Sequence, residues 1–110
     1  MRSSVDGRLP SKPRDEVRTI DQELRLAITN KRLVKLSYNG TLRTVEPHDY
    51  GVKNGIVRLF AYQLHVKPGW RWFDVEKIAE LAVLETVFKG SRGSAHQNHH
   101  VWDIVYARVK

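Results

Sequence analysis

The clearest signal for the fold of this chain lies in residues 34–45, Val-Lys-Leu-Ser-Tyr-Asn-Gly-Thr-Leu-Arg-Thr-Val. Asn39-Gly40 separates two runs of strand-forming residues, and this dipeptide is the strongest short-range signal for a β-hairpin. A two-residue loop at this point pairs Leu36 with Arg43. Because directly opposed residues share a face of the sheet, Arg43 is predicted to lie on an otherwise apolar face.

A second arginine occupies the same kind of position in the run Trp-Arg-Trp-Phe-Asp-Val-Glu-Lys-Ile, residues 70–78. Alternation along a strand places Arg71 on the face of Phe73 and Val75. A guanidinium on an apolar face needs a partner, because an unpaired buried charge is costly. The partner is either an anion from outside or a carboxylate of this chain. Three carboxylates are the internal candidates: Glu46, Asp74 and Glu76.

The rest of the pattern predicts one helix followed by short antiparallel strands. Thr19-Ile20-Asp21-Gln22 is a capping box, and apolar residues at helical spacing continue to about Asn30. Strands are predicted near residues 31–38, 41–48, 56–64, 70–75 and 78–85, with Pro47 ending or edging the second. Because there are no repeated crossover helices, the order predicts a mainly β fold with one N-terminal helix, a small SH3-like or Sm-like antiparallel β-barrel of about five strands.

Composition divides the chain into three regions. Residues 1–18 combine Ser, Gly, Pro and charges, which predicts a flexible basic leader. Residues 19–88 hold the barrel. Residues 89–110 are predicted to be a loop followed by a β-rich extension, in which residues 101–109 fit a strand or a short helix, and we favour the strand.

The 110 residues contain no cysteine, which excludes a disulfide scaffold and a thiolate zinc site. No apolar run reaches the length of a membrane span, and the N-terminus lacks the apolar core of a signal peptide, so we expect a cytoplasmic protein without membrane contact. The net charge of +7 fits either weak, salt-sensitive attraction to nucleic acid or simple solubility.

An ordered set of residues resembles the WYL domain, a small SH3-like barrel of bacterial transcription regulators. The set is R-x-V-x-L-x-Y at residues 32–38, R-x-V-x-P at 43–47, L-x-A-Y at 59–62 and R-x-F-x-x-x-K-I at 71–78. The match covers roughly residues 19–88. It departs from the family where Trp-Tyr-Leu would stand, because this chain has Val57-Arg58-Leu59, and Lys77 replaces the usual arginine.

The resemblance implies a stand-alone regulatory module that senses an anionic ligand, namely a nucleotide, an oligonucleotide or single-stranded nucleic acid. The candidate ligand-binding residues are Arg43, Arg71, Tyr38, Tyr62, Arg58, Lys77 and His48, with His48 expected at the pocket rim. The rival hypothesis is a protein-interaction module whose arginines are structural. We also expect a homodimer and a regulatory protein partner.

The histidines, the catalytic motifs and the tryptophans give weaker indications of function. His96, His99 and His100 are interpreted as part of a polar loop, so no metal and no cofactor is expected. The chain has no G-x-S-x-G, H-E-x-x-H or phosphate-binding glycine motif, and we expect no enzyme activity. Trp70 and Trp72 share the face opposite Arg71, and we expect them to pack as core, against the helix or against the C-terminal segment.

Overall fold

The computed structural model describes residues 18–93 and 100–110. Its elements are one helix and six strands: α1 (Ile20–Thr29), β1 (Arg32–Tyr38), β2 (Thr41–Lys53), β3 (Ile56–Gln63), β4 (Gly69–Asp74), β5 (Ile78–Val87) and β6 (Ile104–Arg108). A single 3-10 turn, Val75–Lys77, joins β4 to β5. The predicted class, mainly β with one N-terminal helix, is confirmed.

Helix α1 begins at the predicted capping box. The Thr19 hydroxyl accepts a hydrogen bond from the Gln22 N–H at 3.1 Å, and the Gln22 side chain accepts one from the Thr19 N–H at 2.9 Å. These two bonds satisfy backbone donors that the first turn of a helix leaves free. The helix then buries one side against the sheet through Leu24, Ala27 and Ile28.

The hairpin between β1 and β2 has the predicted register, with Leu36 opposite Arg43. Asn39 and Gly40 both have positive φ angles, 52° and 74°. Positive φ at both loop positions defines the type I′ turn, whose twist matches that of the flanking strands. The Asn-Gly pair therefore fixes which residues of both strands face the core.

All strand pairs are antiparallel, in the order β4-β3-β2-β1-β5, and β6 pairs with β2 beyond this path. The sequence pattern predicted a second strand over residues 41–48, with Pro47 at its end or at a sheet edge. In the structure, β2 continues past Pro47 to Lys53. A register shift between Pro47 and Asp49 lets the strand pass its proline, because a bulge tolerates a residue without an N–H. Among the described residues, no strand pairing joins the two end strands β4 and β5, so the closed barrel stays a prediction.

The inner face of the sheet packs against α1. The core there consists of apolar side chains from every strand except β6, with the helix above them: Leu24, Ala27, Ile28, Val34, Leu36, Val45, Tyr50, Leu59, Ala61, Phe73 and Ile78. The described part of the chain contains no helix with the length and apolar character needed to cross a membrane.

The outer face is covered by the chain after β5. Phe88 stacks on His48 with ring centres 5.6 Å apart, and Trp102 packs on Trp72 at the same distance. The expectation that the tryptophans pack against the C-terminal segment is thus confirmed for Trp72. The tail then ends as β6, the strand we favoured, which adds to β2 of its own chain.

Gly51 allows β6 to approach β2. A Cβ at this position would overlap the carbonyl oxygen of Ile104 and lie 3.0 Å from its carbon. We expect Gly51→Ala to displace β6 and to lower the free energy of unfolding by about 1–3 kcal/mol. Urea denaturation would measure this. Ile104→Ala is the control, because it shortens a half-exposed side chain of β6 without touching the backbone contact, and a loss as large as that of Gly51→Ala would contradict the explanation.

Tyr50 fixes the start of α1 to β2. Its hydroxyl donates a 2.6 Å hydrogen bond to the Asp21 carboxylate, while Arg25 pairs with Asp21 at 3.1 Å. The Tyr50 bond, and then Arg25, lower the pKa of Asp21 below its ordinary value of 3.8. Burial and the same bond raise the pKa of Tyr50 well above its usual value.

The lowered pKa makes this contact dependent on pH. A carboxyl whose pKa is lower in the folded state contributes stability above its unfolded pKa, and this is lost as pH falls through the folded value. We therefore expect Tyr50→Phe to cost about 1 kcal/mol at pH 7 and progressively less below about pH 4. Thermal unfolding of both proteins between pH 7 and pH 2 would test this; a difference independent of pH would contradict it.

Candidate anion-binding site

Arg43 extends from the inner face of β2 across two aromatic rings. Its guanidinium carbon lies 5.8 Å from the centre of the Tyr38 ring and 5.9 Å from that of Phe73. The two rings meet edge to face at 4.9 Å. Arg43 Nε is buried and has no hydrogen-bond partner among the described residues. The sheet therefore orients this guanidinium through cation–π contacts without neutralising its charge.

Arg71 folds back toward the loop that precedes its own strand. Its Nη1 donates to the carbonyl of Trp70 at 3.0 Å, and its Nη2 donates to the carbonyl of Lys67 at 2.6 Å. Gly69 leaves the room for this arrangement, because a Cβ there would lie 2.9 Å from Arg71 Nη1 and the glycine φ is 153°.

Gln63, which the sequence analysis did not single out, connects the two arginines. Its Oε1 accepts from Arg43 Nη1 at 3.3 Å, and its Nε2 donates to the carbonyls of Val66 at 2.8 Å and Lys67 at 3.4 Å. Arg71 donates to the same Lys67 carbonyl. Hydrogen bonds through Gln63 and the Lys67 carbonyl therefore link the two arginines, and their convergence on one pocket stays a prediction. A buried amide at an inward position near the end of a strand was the signal that could have identified Gln63.

The charges around this cluster, Arg43, Gln63 and Arg71, are unbalanced. Among the described residues no carboxylate pairs with either arginine, whereas five other arginines do have acidic partners: Arg18, Arg25, Arg58, Arg92 and Arg108. Two internal candidates are engaged elsewhere, since Glu46 pairs with Arg92 and Asp74 with Arg58. Glu76 forms no ion pair with a described residue. The two guanidinium groups are thus held only by neutral oxygens.

The remaining predicted site residues are divided among three places. Tyr38 belongs to the cluster through its contact with Arg43, and its hydroxyl accepts from the Asp74 N–H at 3.1 Å. Arg58 and Lys77 both pair with Asp74, at 3.2 Å and 3.6 Å. Neither has a described contact with the cluster.

Tyr62 and His48 lie on the outer face of the sheet, away from the cluster. The guanidinium carbon of Arg92 lies 3.8 Å from the centre of the Tyr62 ring. His48 is fully buried, so its expected position at a pocket rim is wrong. The cause is the segment after β5, which places Phe88 and Arg92 over the ring.

The hydrogen bonds of His48 define its tautomer. Nδ1 lies 2.8 Å from the Glu46 carbonyl, which can only accept, and Nε2 lies 3.2 Å from the Arg92 backbone N–H, which can only donate. These two contacts fit the tautomer that carries its proton on Nδ1. Arg92 also donates two side-chain bonds to the Glu46 carboxylate, at 2.6 Å and 3.2 Å, and these raise the pKa of Arg92.

A cleft of about 470 Å³ opens beside this outer network and does not include Arg43 or Arg71. Its walls are mainly apolar and include Leu33, Leu64, Val87 and Phe88. The Glu46–Arg92 pair lies at one side. Within residues 18–93 and 100–110 no cluster of histidines and carboxylates could hold a metal ion. His96 and His99 lie outside the described residues.

Comparisons with protein-family models, with curated proteins and with solved structures find no match. The resemblance to the WYL family therefore rests on the residue pattern alone.

The contrast between paired and unpaired arginines predicts different effects on stability. Arg92→Ala leaves the Glu46 carboxylate, in a residue only 8% exposed, without its partner, and we expect a loss of about 2 kcal/mol. Adding Glu46→Gln should restore part of this loss, because a neutral amide costs less to bury than a charge. Chemical denaturation would measure both, with the exposed pair variant Arg18→Ala as control. A loss no larger than that of Arg18→Ala would contradict the assignment.

Proposed function

We propose that this chain is a WYL-like regulatory module that binds an anionic, phosphate-bearing ligand through Arg43 and Arg71. The observation that carries the proposal is the hydrogen-bonded link from Arg43 through Gln63 and the Lys67 carbonyl to Arg71, without any described carboxylate to balance the two arginines. The resemblance in residue pattern supports the same function. It adds a role in transcription regulation in the cytoplasm to the proposal.

The chemistry of the cluster favours an oxyanion. Guanidinium groups bind phosphate and carboxylate through paired N–H donors, and such charge-assisted bonds are stronger than bonds to neutral oxygens. An anion between the two arginines would also relieve their mutual repulsion. The net charge of +7 would attract polyanions from a distance, which favours a nucleotide or single-stranded nucleic acid over a neutral metabolite.

One observation favours the rival function, a protein-interaction module with structural arginines. Both arginines donate to oxygens of the chain, Arg43 to Gln63 and Arg71 to the carbonyls of Lys67 and Trp70. In that case the arginines only fasten the loop before β4, and the expected homodimer would be the functional form. Ligand binding by site variants separates the two functions.

Fluorescence anisotropy with a labelled single-stranded oligodeoxythymidylate, at two salt concentrations, tests the proposal. We expect Arg43→Lys and Arg71→Lys each to weaken binding about tenfold to a hundredfold, because the ammonium group of lysine lacks the paired, coplanar N–H donors of a guanidinium. Deleting residues 1–17 should weaken binding only modestly and reduce its salt dependence.

Gln63→Glu provides a sharper variant, because it places a carboxylate within reach of Arg43 at nearly constant shape. We expect it to compete with the ligand and to lower affinity by a similar factor. Asn54→Asp adds the same charge in the turn between β2 and β3 and should leave affinity almost unchanged. Normal binding by both arginine variants, with binding abolished by the leader deletion, would overturn the proposal.

A further inference from the structure

The loop between β3 and β4, residues 64–68, is held by the same side chains that form the candidate site. Gln63 donates to the carbonyls of Val66 and Lys67, and Arg71 donates to the carbonyl of Lys67 and, just beyond the loop, to that of Trp70. Two backbone oxygens, those of Lys67 and Trp70, thus occupy Arg71 donors that an oxyanion would use. In the free protein the loop is itself a neutral competitor for the site.

The loop has little other support. Its one described backbone–backbone hydrogen bond joins the Leu64 N–H to the Thr44 carbonyl at 3.0 Å. Lys67 has a φ of 61°, a left-handed conformation that is unfavourable for a lysine. Val66 is 77% exposed. Since neither packing nor backbone pairing fixes residues 65–68, the side-chain donors of Gln63 and Arg71 are what holds their conformation.

We infer that ligand binding at Arg43 and Arg71 releases the 64–68 loop, so that the conformation of this loop depends on whether the site is occupied. The inference rests on the proposed function. A phosphate oxygen carries a formal charge and accepts from a guanidinium more strongly than a carbonyl does, so the ligand takes Arg71 from Lys67 and Arg43 from Gln63. The loop then keeps only the Gln63 bonds to Val66 and Lys67. The ligand therefore binds better to the released loop than to the held one, which is the difference in affinity that a conformational response requires.

The coupling is reciprocal, because two processes that compete for the same donors must weaken each other equally. A change that removes other side-chain bonds of the loop without removing an arginine therefore shifts the loop in the same direction as the ligand does. Gln63→Met is such a change: it keeps the length of the side chain and removes its bonds to Val66, Lys67 and Arg43.

A nitroxide spin label at position 66 would measure the release. The chain has no cysteine, so Val66→Cys creates a single labelling site on an exposed side chain. We expect saturating single-stranded oligodeoxythymidylate to shorten the rotational correlation time of the label about twofold or more. Inorganic phosphate at constant ionic strength should have the same effect, because it offers the same oxygens. Gln63→Met should show the mobile spectrum without ligand.

The control label is placed at Val87, a position 64% exposed at the end of β5, where binding should change nothing. Anisotropy on the same labelled protein separates the two proposals. Binding with an unchanged or less mobile label at position 66 overturns the loop response and leaves the proposed function standing. Absence of binding by both probes overturns the proposed function, and with it the loop response.

Discussion

The thirteen-residue strand β2 is hydrogen-bonded to three other strands, and the rest of the fold depends on how it achieves this. Its first five residues pair with β1, its residues from Val45 onward pair with β3, and Asp49–Val52 pair with β6. Two strands thus follow one another along the same edge of β2. The register shift between Pro47 and Asp49 lies between the two pairings, and bulged residues increase the local bend and twist of a strand. Proline at this point costs little, because the ladder is already interrupted.

The bend gives the sheet two covered faces with different chemistry. The inner face is apolar and packs against α1, except where Arg43, Gln63 and Arg71 emerge at its end. The outer face carries aromatic rings and a closed polar network in which Arg92 binds both Glu46 and His48. Buried polar groups are tolerated when each has its partner, and this network meets that condition through one residue of the C-terminal stretch. The tail is therefore part of the domain and not an appendage to it.

The arginines of the molecule differ mainly in what balances their charge. Arg92 and Arg108 reach carboxylates that lie in buried residues, Glu46 and Asp49, so they stabilise the fold. Arg43 and Arg71 contact rings and carbonyls, which orient a guanidinium and leave its charge in place. The missing ion pair separates these two arginines from the structural ion pairs on the same sheet, and Arg32, which donates to the Leu84 carbonyl, is likewise without a described carboxylate.

The local features of the fold could be predicted from the amino-acid sequence. The Asn39-Gly40 turn set the register of the first hairpin, the capping box set the start of α1, and alternation placed both arginines on the inner face, because each of these depends on neighbours only a few residues apart. Three other outcomes follow from long-range packing: which arginines are neutralised, the link from Arg43 through Gln63 and the Lys67 carbonyl to Arg71, and the burial of His48. Those outcomes depend on contacts such as Glu46 with Arg92 across 46 positions, and on a bulge that carries β2 past Pro47. No spacing pattern encodes such contacts, because they arise from the way separate elements pack together.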